Sequence, residues 1–86
     1  MELWVRTQDK RELVKTNAIY LVRVDKYFHI YCYVNNGEID LGQYGDFEDK
    51  TRALEVLDEI QDKIEYFDSV HYNGNKTTII YEMPKE

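Results

Sequence analysis

The sequence predicts an α+β protein, in which an antiparallel sheet of four or five strands carries one amphipathic helix packed on one face. Three observations support this prediction. Residues 27–34 alternate between two kinds of side chain, residues 47–67 repeat apolar side chains at helical spacing, and turn-forming pairs separate the strand candidates. No linker or internal repeat interrupts the chain, so we expect a single domain spanning residues 1–86.

The run at residues 27–34 is the clearest strand signal, because successive side chains of a strand point to opposite faces. One face receives only apolar residues, namely Phe28, Ile30, Cys32 and Val34. The other face receives Tyr27, His29, Tyr31 and Tyr33. We interpret the first face as core and the second as a candidate site or interface.

Further strands flank this run. A short strand is expected around Trp4, followed by a polar turn at residues 8–10. Residues 17–24 are rich in β-branched and aromatic side chains and apolar on both faces, which is typical of a central strand. Residues 76–83 predict the final strand after a turn signal at residues 73–74, and residues 69–72 are compatible with a strand or with a loop.

The hydrophobic pattern also predicts how the middle strands pair, since a slip of one residue would move an apolar set to the wrong face. A two-residue turn at residues 25–26 pairs Tyr20 with Tyr31. The same register sets Val22 opposite His29. On the reverse side, apolar residues then meet apolar residues.

The second hairpin contains an Asn-Gly pair at residues 36–37, which readily adopts the positive φ angles of a tight turn. A two-residue turn there sets Cys32 opposite Leu41. A three-residue loop would instead set Cys32 opposite Asp40 and bury a carboxylate without a partner, at a cost of several kcal/mol. We therefore prefer the two-residue turn.

This register has two consequences for chemistry. Gly42 lies opposite Tyr31, where it either leaves space for a planar group to stack or merely relieves crowding or marks a bulge. Asp40 pairs with Tyr33, about 13 Å along the strand from His29, so we expect no His29–Asp40 dyad.

The helix is predicted over residues 47–67, with Asp46 or Asp49 capping its start. Its apolar stripe comprises Ala53, Leu57, Ile60, Ile64 and Phe67, widened by Val56. Its solvent face carries Glu55, Asp58, Glu59, Asp62 and Glu65. We expect a favourable Glu59–Lys63 pair one turn apart and expect the stripe to cover the Ile30/Cys32 face of the sheet.

The sheet surface away from the helix is the candidate binding face. The predicted registers collect there Tyr20, Val22, Tyr27, His29, Tyr31, Tyr33, Asp40, Gly42 and Tyr44. Tyrosines suit strands and pack on one another, but five on one face exceed what cross-strand pairing requires. An aromatic patch of this kind favours a contact surface, for a second copy, a protein partner or a small planar ligand.

Composition narrows the classes of function. With 43% hydrophobic residues, one cysteine and no run long enough to cross a membrane, the chain is expected to be a cytoplasmic, membrane-free globular protein that needs no disulfide. Residues 27–86 carry five basic and thirteen acidic groups, which disfavours direct binding of nucleic acid. We find no catalytic, phosphate-binding or metal-binding motif and expect neither enzyme activity nor a cofactor. We expect His29 and His71 to be half-buried or solvated side chains without a catalytic role.

Three segments, residues 4–10 (Trp-Val-Arg-Thr-Gln-Asp-Lys), 52–60 (Arg-Ala-Leu-Glu-Val-Leu-Asp-Glu-Ile) and 81–84 (Tyr-Glu-Met-Pro), resemble uncharacterised small phage and prophage proteins of low-GC Gram-positive bacteria. The resemblance covers about a third of the chain and leaves the central hairpins unmatched. It implies a phage-encoded protein acting in the host cytoplasm. By analogy, such proteins occupy a host target or sequester a small signalling molecule of host immunity.

These observations favour a non-catalytic protein that forms a homo-oligomer or docks on a host protein through its tyrosine-rich face. One alternative is sequestration of a nucleotide-like immune signal, with tyrosines stacking on the base and an Arg or Lys from the first third of the chain meeting the phosphate. A second alternative is an acidic inhibitor whose helix mimics nucleic-acid charge and occupies a basic host protein.

Overall fold

The computed structural model describes residues 2–45, 48–70 and 78–86, with helix side chains described as far as residue 66. These residues form β1 (Glu2–Arg6), β2 (Leu13–Thr16), β3 (Ile19–Val24), β4 (Tyr27–Val34), β5 (Gly37–Gln43), α1 (Thr51–Val70) and β6 (Thr78–Glu82). The strands form two three-stranded sheets, in the orders β2-β1-β6 and β3-β4-β5. The α+β class with one helix is confirmed for this part of the chain, but the strands are divided between two sheets.

The first sheet has β1 at its centre, antiparallel to β2 and parallel to β6. Strand β2 was not predicted, because its four residues are too few to show a clear alternation. The parallel pair also departs from the expected all-antiparallel sheet. It is possible because α1 lies between β5 and β6 in sequence and returns the chain to the starting end of β1.

The β3–β4 hairpin has the predicted register. Tyr20 lies opposite Tyr31, and Val22 lies opposite His29. Asp25 adopts a φ of 56° in the two-residue turn, a conformation that aspartate tolerates better than most residues.

The β4–β5 register differs from the prediction by two residues. The turn lies at residues 35–36, and Cys32 faces Ile39 where Leu41 was expected. A shift of two residues keeps every side chain on its face, so apolar still meets apolar and the pattern does not distinguish the registers. Further along, Ile30 faces Gly42, and Leu41 is the extra residue of a β-bulge.

Gln8 joins the two sheets, a role that its sequence context did not reveal. Its backbone N–H donates to the Leu41 carbonyl at 2.8 Å. Its side-chain Nε2 donates to the carbonyls of Gln43 and Lys85 at 3.0 and 2.9 Å, and its Oε1 accepts from the Gln43 N–H at 2.9 Å. One amide side chain thus hydrogen-bonds both β5 and the chain after β6.

Helix α1 begins at Thr51, later than the predicted residue 47. The Asp49 carboxylate accepts a hydrogen bond from the Thr51 N–H at 2.9 Å, which lowers the pKa of that carboxyl and confirms Asp49 as a cap. The predicted Glu59–Lys63 pair is replaced by other contacts. The Lys63 ammonium donates to the Ile80 carbonyl at 2.8 Å, while Glu59 accepts from the Tyr81 hydroxyl at 2.9 Å.

The core lies between α1 and the two sheets. Its buried members are Val5, Ile30, Cys32, Leu41, Tyr44, Ala53, Val56, Ile60, Tyr81 and Met83. The helix therefore covers the apolar face of β4, as predicted. Val56 is fully buried, whereas Leu57 and Ile64 are only partly buried, so the stripe is centred on Val56.

Some expectations lie outside the described residues. These are the Asp46 cap, the side chain of Phe67, the turn at residues 73–74, the start of the last strand at residues 76–77 and the environment of His71. Of the undecided segment 69–72, residues 69 and 70 belong to α1. Among the described residues, no helix is long and apolar enough to cross a membrane.

Candidate binding surface

The outer surface of the β3-β4-β5 sheet carries most of the predicted face. We call it the tyrosine face and define it as Tyr20, Val22, Tyr27, His29, Tyr31, Tyr33 and Asp40. Cross-strand pairing aligns these residues in rows, and α1 packs on the opposite side of the sheet. Tyr33 and Tyr27 are the most exposed tyrosines of the face, at 51% and 41%.

The aromatic rings pack against one another. The ring centroids of Tyr20 and Tyr33 lie 4.8 Å apart, and those of Tyr20 and Tyr31 lie 6.0 Å apart. The His29 and Tyr31 rings lie nearly perpendicular to each other, with their centroids 6.2 Å apart. These distances fall in the range of favourable aromatic contacts, so the rings form a connected row whose rotamers constrain one another.

The hydroxyl of Tyr20 is shielded from solvent by its neighbours. It has no partner at hydrogen-bonding distance in the described part of the chain. Desolvation, together with the nearby Glu38 carboxylate, raises the pKa of this phenol well above its usual value of 10. Tyr20 is therefore a neutral ring within the row, and the more exposed Tyr33 presents the accessible aromatic surface.

The structure corrects the prediction for His29 and Asp40. The His29 Nδ1 lies 2.8 Å from a carboxylate oxygen of Asp40, where we expected a separation of about 13 Å. The shifted register and the bulge at Leu41 bring the two residues together. The second Asp40 oxygen accepts a hydrogen bond from the Gly42 N–H at 3.0 Å, which fixes the carboxylate in place.

This pair sets the chemistry of the imidazole. An ionised carboxylate only accepts hydrogen bonds, so neutral His29 must carry its proton on Nδ1 and present Nε2 as an acceptor. The side chain is 16% exposed. His29 thus provides an oriented polar group on a largely aromatic surface.

Two predicted members do not belong to the tyrosine face. Tyr44 is 1% exposed and lies in the core, where its hydroxyl donates to the Pro84 carbonyl at 2.5 Å. Gly42 faces Ile30 instead of Tyr31, so it provides no space above the Tyr31 ring. A Cβ at Gly42 would lie 2.7 Å from the Gln8 Cβ, which shows that this glycine allows close approach and accompanies a bulge.

Glu38 is the residue that the sequence prediction missed at this surface. It lies opposite Tyr33, the place assigned to Asp40. Because Glu38 and Asp40 have the same parity along β5, both registers put them on the same face. The alternation along β5 therefore places Glu38 on this face, but it does not show whether Glu38 or Asp40 lies opposite Tyr33.

A groove of about 630 Å³ borders the tyrosine face near the β4–β5 turn. It is lined by Tyr33 together with Lys15, Asn17, Asn35 and Asn36, among others. The Lys15 ammonium lies 3.3 Å from a Glu2 carboxylate oxygen at the same groove. An aromatic ring, a cation and several amides thus line one concave surface.

Basic side chains in the first third of the chain have partners within the protein. Lys10 lies 3.5 Å from Glu82, and the Arg6 guanidinium donates to the Lys10 carbonyl at 3.0 Å. On the helix, Arg52 lies 3.3 Å from both Glu55 and Glu59, which reduces the negative field of the acidic face.

Cys32 lies in the core, where burial raises the pKa of its thiol and makes a reactive thiolate unfavourable. Across the described ranges, no three side chains among His, Cys, Asp and Glu are grouped so that they could hold a metal ion.

Comparison of the chain with protein families, characterised proteins and solved structures finds no match.

Proposed function

We propose that this chain is a small non-catalytic binding protein whose tyrosine face docks on another protein surface, provided by a second copy or by a host protein. The packed aromatic row, with Tyr33 half exposed at its end, is the observation that carries the proposal. Following the resemblance described above, we further propose that the protein is phage-encoded and acts in the cytoplasm of the host.

The physical basis is preorganisation. Tyrosine contributes a large contact area at a small loss of side-chain entropy, and its hydroxyl tolerates water before binding. The contacts of Tyr20 with Tyr31 and Tyr33 already restrict these rings, which lowers the entropy lost on docking. His29, held by Asp40, adds a directional acceptor that favours a partner with a donor at the matching place.

The test combines solution mass with recovery of bound partners. Serine replacements at Tyr31 and Tyr33 remove aromatic area from the tyrosine face. We expect Tyr31→Ser/Tyr33→Ser to lower the solution mass or to abolish recovery of the partner from host extract. Tyr66→Ser is the matched control, because Tyr66 is an exposed tyrosine on α1.

Circular dichroism would establish that each variant is folded. If the double variant retained both the mass and the partner recovery of the wild type, the tyrosine face would have no binding role.

A second candidate is a site for a nucleotide-like ligand, favoured by the groove beside Tyr33. A base would stack on Tyr33, the amides of Asn17 and Asn36 would contact its polar edge, and Lys15 would meet a phosphate. The volume of about 630 Å³ suits a molecule of this size.

Thermal shift with a panel of cyclic and linear nucleotides tests this candidate, since a bound ligand raises the melting temperature by mass action. Lys15→Ala should reduce the shift, and Lys50→Ala is a control at an exposed lysine outside the groove. The absence of any shift across the panel would exclude nucleotide binding at this groove.

A further inference from the structure

Among the described residues, no strand pairs with the outer edge of β3. The Tyr33 N–H donates to the Ala18 carbonyl at 3.0 Å, so Ala18 and every second residue after it direct their backbone groups toward β4. The backbone groups of Ile19, Leu21 and Arg23 therefore point away from the sheet. Within the described ranges, no hydrogen bond to these groups is found.

Strand β3 itself carries few of the features that protect exposed edges. Charged side chains, prolines, bulges or a covering element usually prevent such strands from pairing with another chain. Strand β3 is continuous over six residues, contains no proline and has one charged residue, Arg23. An edge of this kind is suited to pairing with another strand.

We infer that a second copy of this chain pairs with β3 along this edge, in antiparallel orientation about a twofold axis at Leu21. This register brings the outward-facing residues together, with Leu21 opposite Leu21 and Ile19 opposite Arg23 of the second copy. It forms about six backbone hydrogen bonds, two for each outward-facing pair. A twofold contact is self-complementary, as most homodimer interfaces are.

Charge complementarity supports a second copy as the occupant. A groove of about 660 Å³ between β3 and α1 is lined by Ile19, Leu57, Ile64 and Glu65, among others. Arg23 of the second copy lies opposite Ile19 and on the same side of the sheet, so its guanidinium reaches the part of the groove that contains Glu65. The twofold axis repeats this ion pair.

Both partners are available for this contact. The described contact of the Arg23 side chain is a weak hydrogen bond from Nε to the Asp25 carbonyl at 3.3 Å. Glu65 accepts a hydrogen bond from Gln61 at 3.0 Å, and neither charge has an ion-pair partner among the described residues. Leu57 and Ile64 are only partly buried, and the Arg23 stem of the second copy would cover them.

This dimer goes beyond the proposed function and does not depend on it. In the paired register, Tyr20 lies opposite Val22 of the second copy, so the two tyrosine faces join into one continuous surface. The edge holds the copies together, and the tyrosine face remains accessible to a further partner.

Sedimentation equilibrium of the full 86-residue chain tests the inference. The wild type should sediment as a dimer. Arg23→Glu and Glu65→Arg should each raise the dissociation constant about tenfold or more, because each places like charges together. The double variant Arg23→Glu/Glu65→Arg restores opposite charges and should recover the dimer.

Lys50→Glu is the matched control, since it makes the same change of charge at an exposed residue before α1 and should leave the dimer intact. A wild type that remains monomeric up to about 1 mM would overturn the inference. So would a dimer that Arg23→Glu leaves unchanged, or a double variant that fails to recover.

The same assay separates this inference from the proposed function. Tyr33→Ser should leave the edge dimer unchanged, even where it abolishes binding of a host protein. If Tyr33→Ser dissociated the dimer and Arg23→Glu did not, self-association would belong to the tyrosine face and the edge inference would be wrong.

Discussion

The two hairpins of the β3-β4-β5 sheet share strand β4 yet are specified in different ways. The β3–β4 register follows from local turn chemistry and alternation, with residues 25–26 in the turn. The β4–β5 register depends on contacts from distant parts of the chain: Gln8 bonds β5, and Gly42 gives that glutamine space. Tertiary contacts therefore select among registers that the local pattern leaves equivalent.

The difference has a functional consequence. Residues from the first hairpin provide the aromatic row, whose members were placed correctly from sequence. The polar part of the tyrosine face depends on the second hairpin, because only the observed register and its bulge bring Asp40 to 2.8 Å from His29. Changes that disturb the packing of β5 should therefore affect the His29–Asp40 pair before they affect the tyrosine rings.

The largest expected effect comes from filling the space at Gly42. A Cβ there would lie 2.7 Å from the Gln8 Cβ and 2.9 Å from the Tyr44 ring. We expect Gly42→Ala to lower the free energy of unfolding by about 2 to 3 kcal/mol. Urea denaturation followed by circular dichroism measures this change.

Gly37→Ala is the control, since a Cβ at Gly37 meets nothing within 4 Å and the cost is limited to a φ of 145°. We expect about 1 kcal/mol for it. If the two variants were equally stable, close packing against Gln8 would not be what fixes β5.

A somewhat smaller effect is expected at Tyr44. Its hydroxyl donates to the Pro84 carbonyl from within the core, and Tyr44→Phe leaves that carbonyl without this partner. We expect a loss of about 1 to 2 kcal/mol in the free energy of unfolding. Tyr33→Phe, at a half-exposed ring of the tyrosine face, should change stability by less than about 0.5 kcal/mol. Equal losses would contradict the assignment of Tyr44 to the core.

Alkaline pH should weaken the fold through the same buried phenols. Burial raises the pKa of Tyr44 and of Tyr81 above the usual value of 10, whereas both titrate normally when the chain unfolds. The stability that comes from keeping them neutral is complete below pH 10 and is lost as the pH rises toward the folded-state values. Each contributes a slope of about 1.4 kcal/mol per pH unit in that window.

Urea denaturation at a series of pH values from 9 upward measures this slope. For Tyr44→Phe, the free energy of unfolding should fall less steeply with pH than for the wild type, because this variant lacks one of the two phenols with a raised pKa. A wild-type stability that stays constant through pH 11 would contradict the burial of these hydroxyls.

The sequence predicts those parts of the fold that depend on neighbouring residues. The alternation in β4 and the helical stripe around Ala53 and Ile60 predict the core correctly, because in each element only one face is entirely apolar and can be buried. Position 44 was misassigned because counting residues past the bulge at Leu41 reverses its face. Strand β2 was missed because its four residues are too few to show a clear alternation. The role of Gln8 was missed because its partners Gln43 and Lys85 lie far away in sequence.

The smallest expected effect on stability concerns Asp40, and it tests the polar part of the tyrosine face directly. Asp40→Asn preserves an oxygen for the Gly42 N–H but turns an amide NH₂ toward His29, where the carboxylate had accepted a hydrogen bond. Neutral His29 should then carry its proton on Nε2 and accept through Nδ1. Because the pair is partly exposed, we expect a stability change below about 1 kcal/mol. Nitrogen chemical shifts of the imidazole report the tautomer, and an unchanged Nδ1–H form in the variant would show that Asp40 does not orient His29.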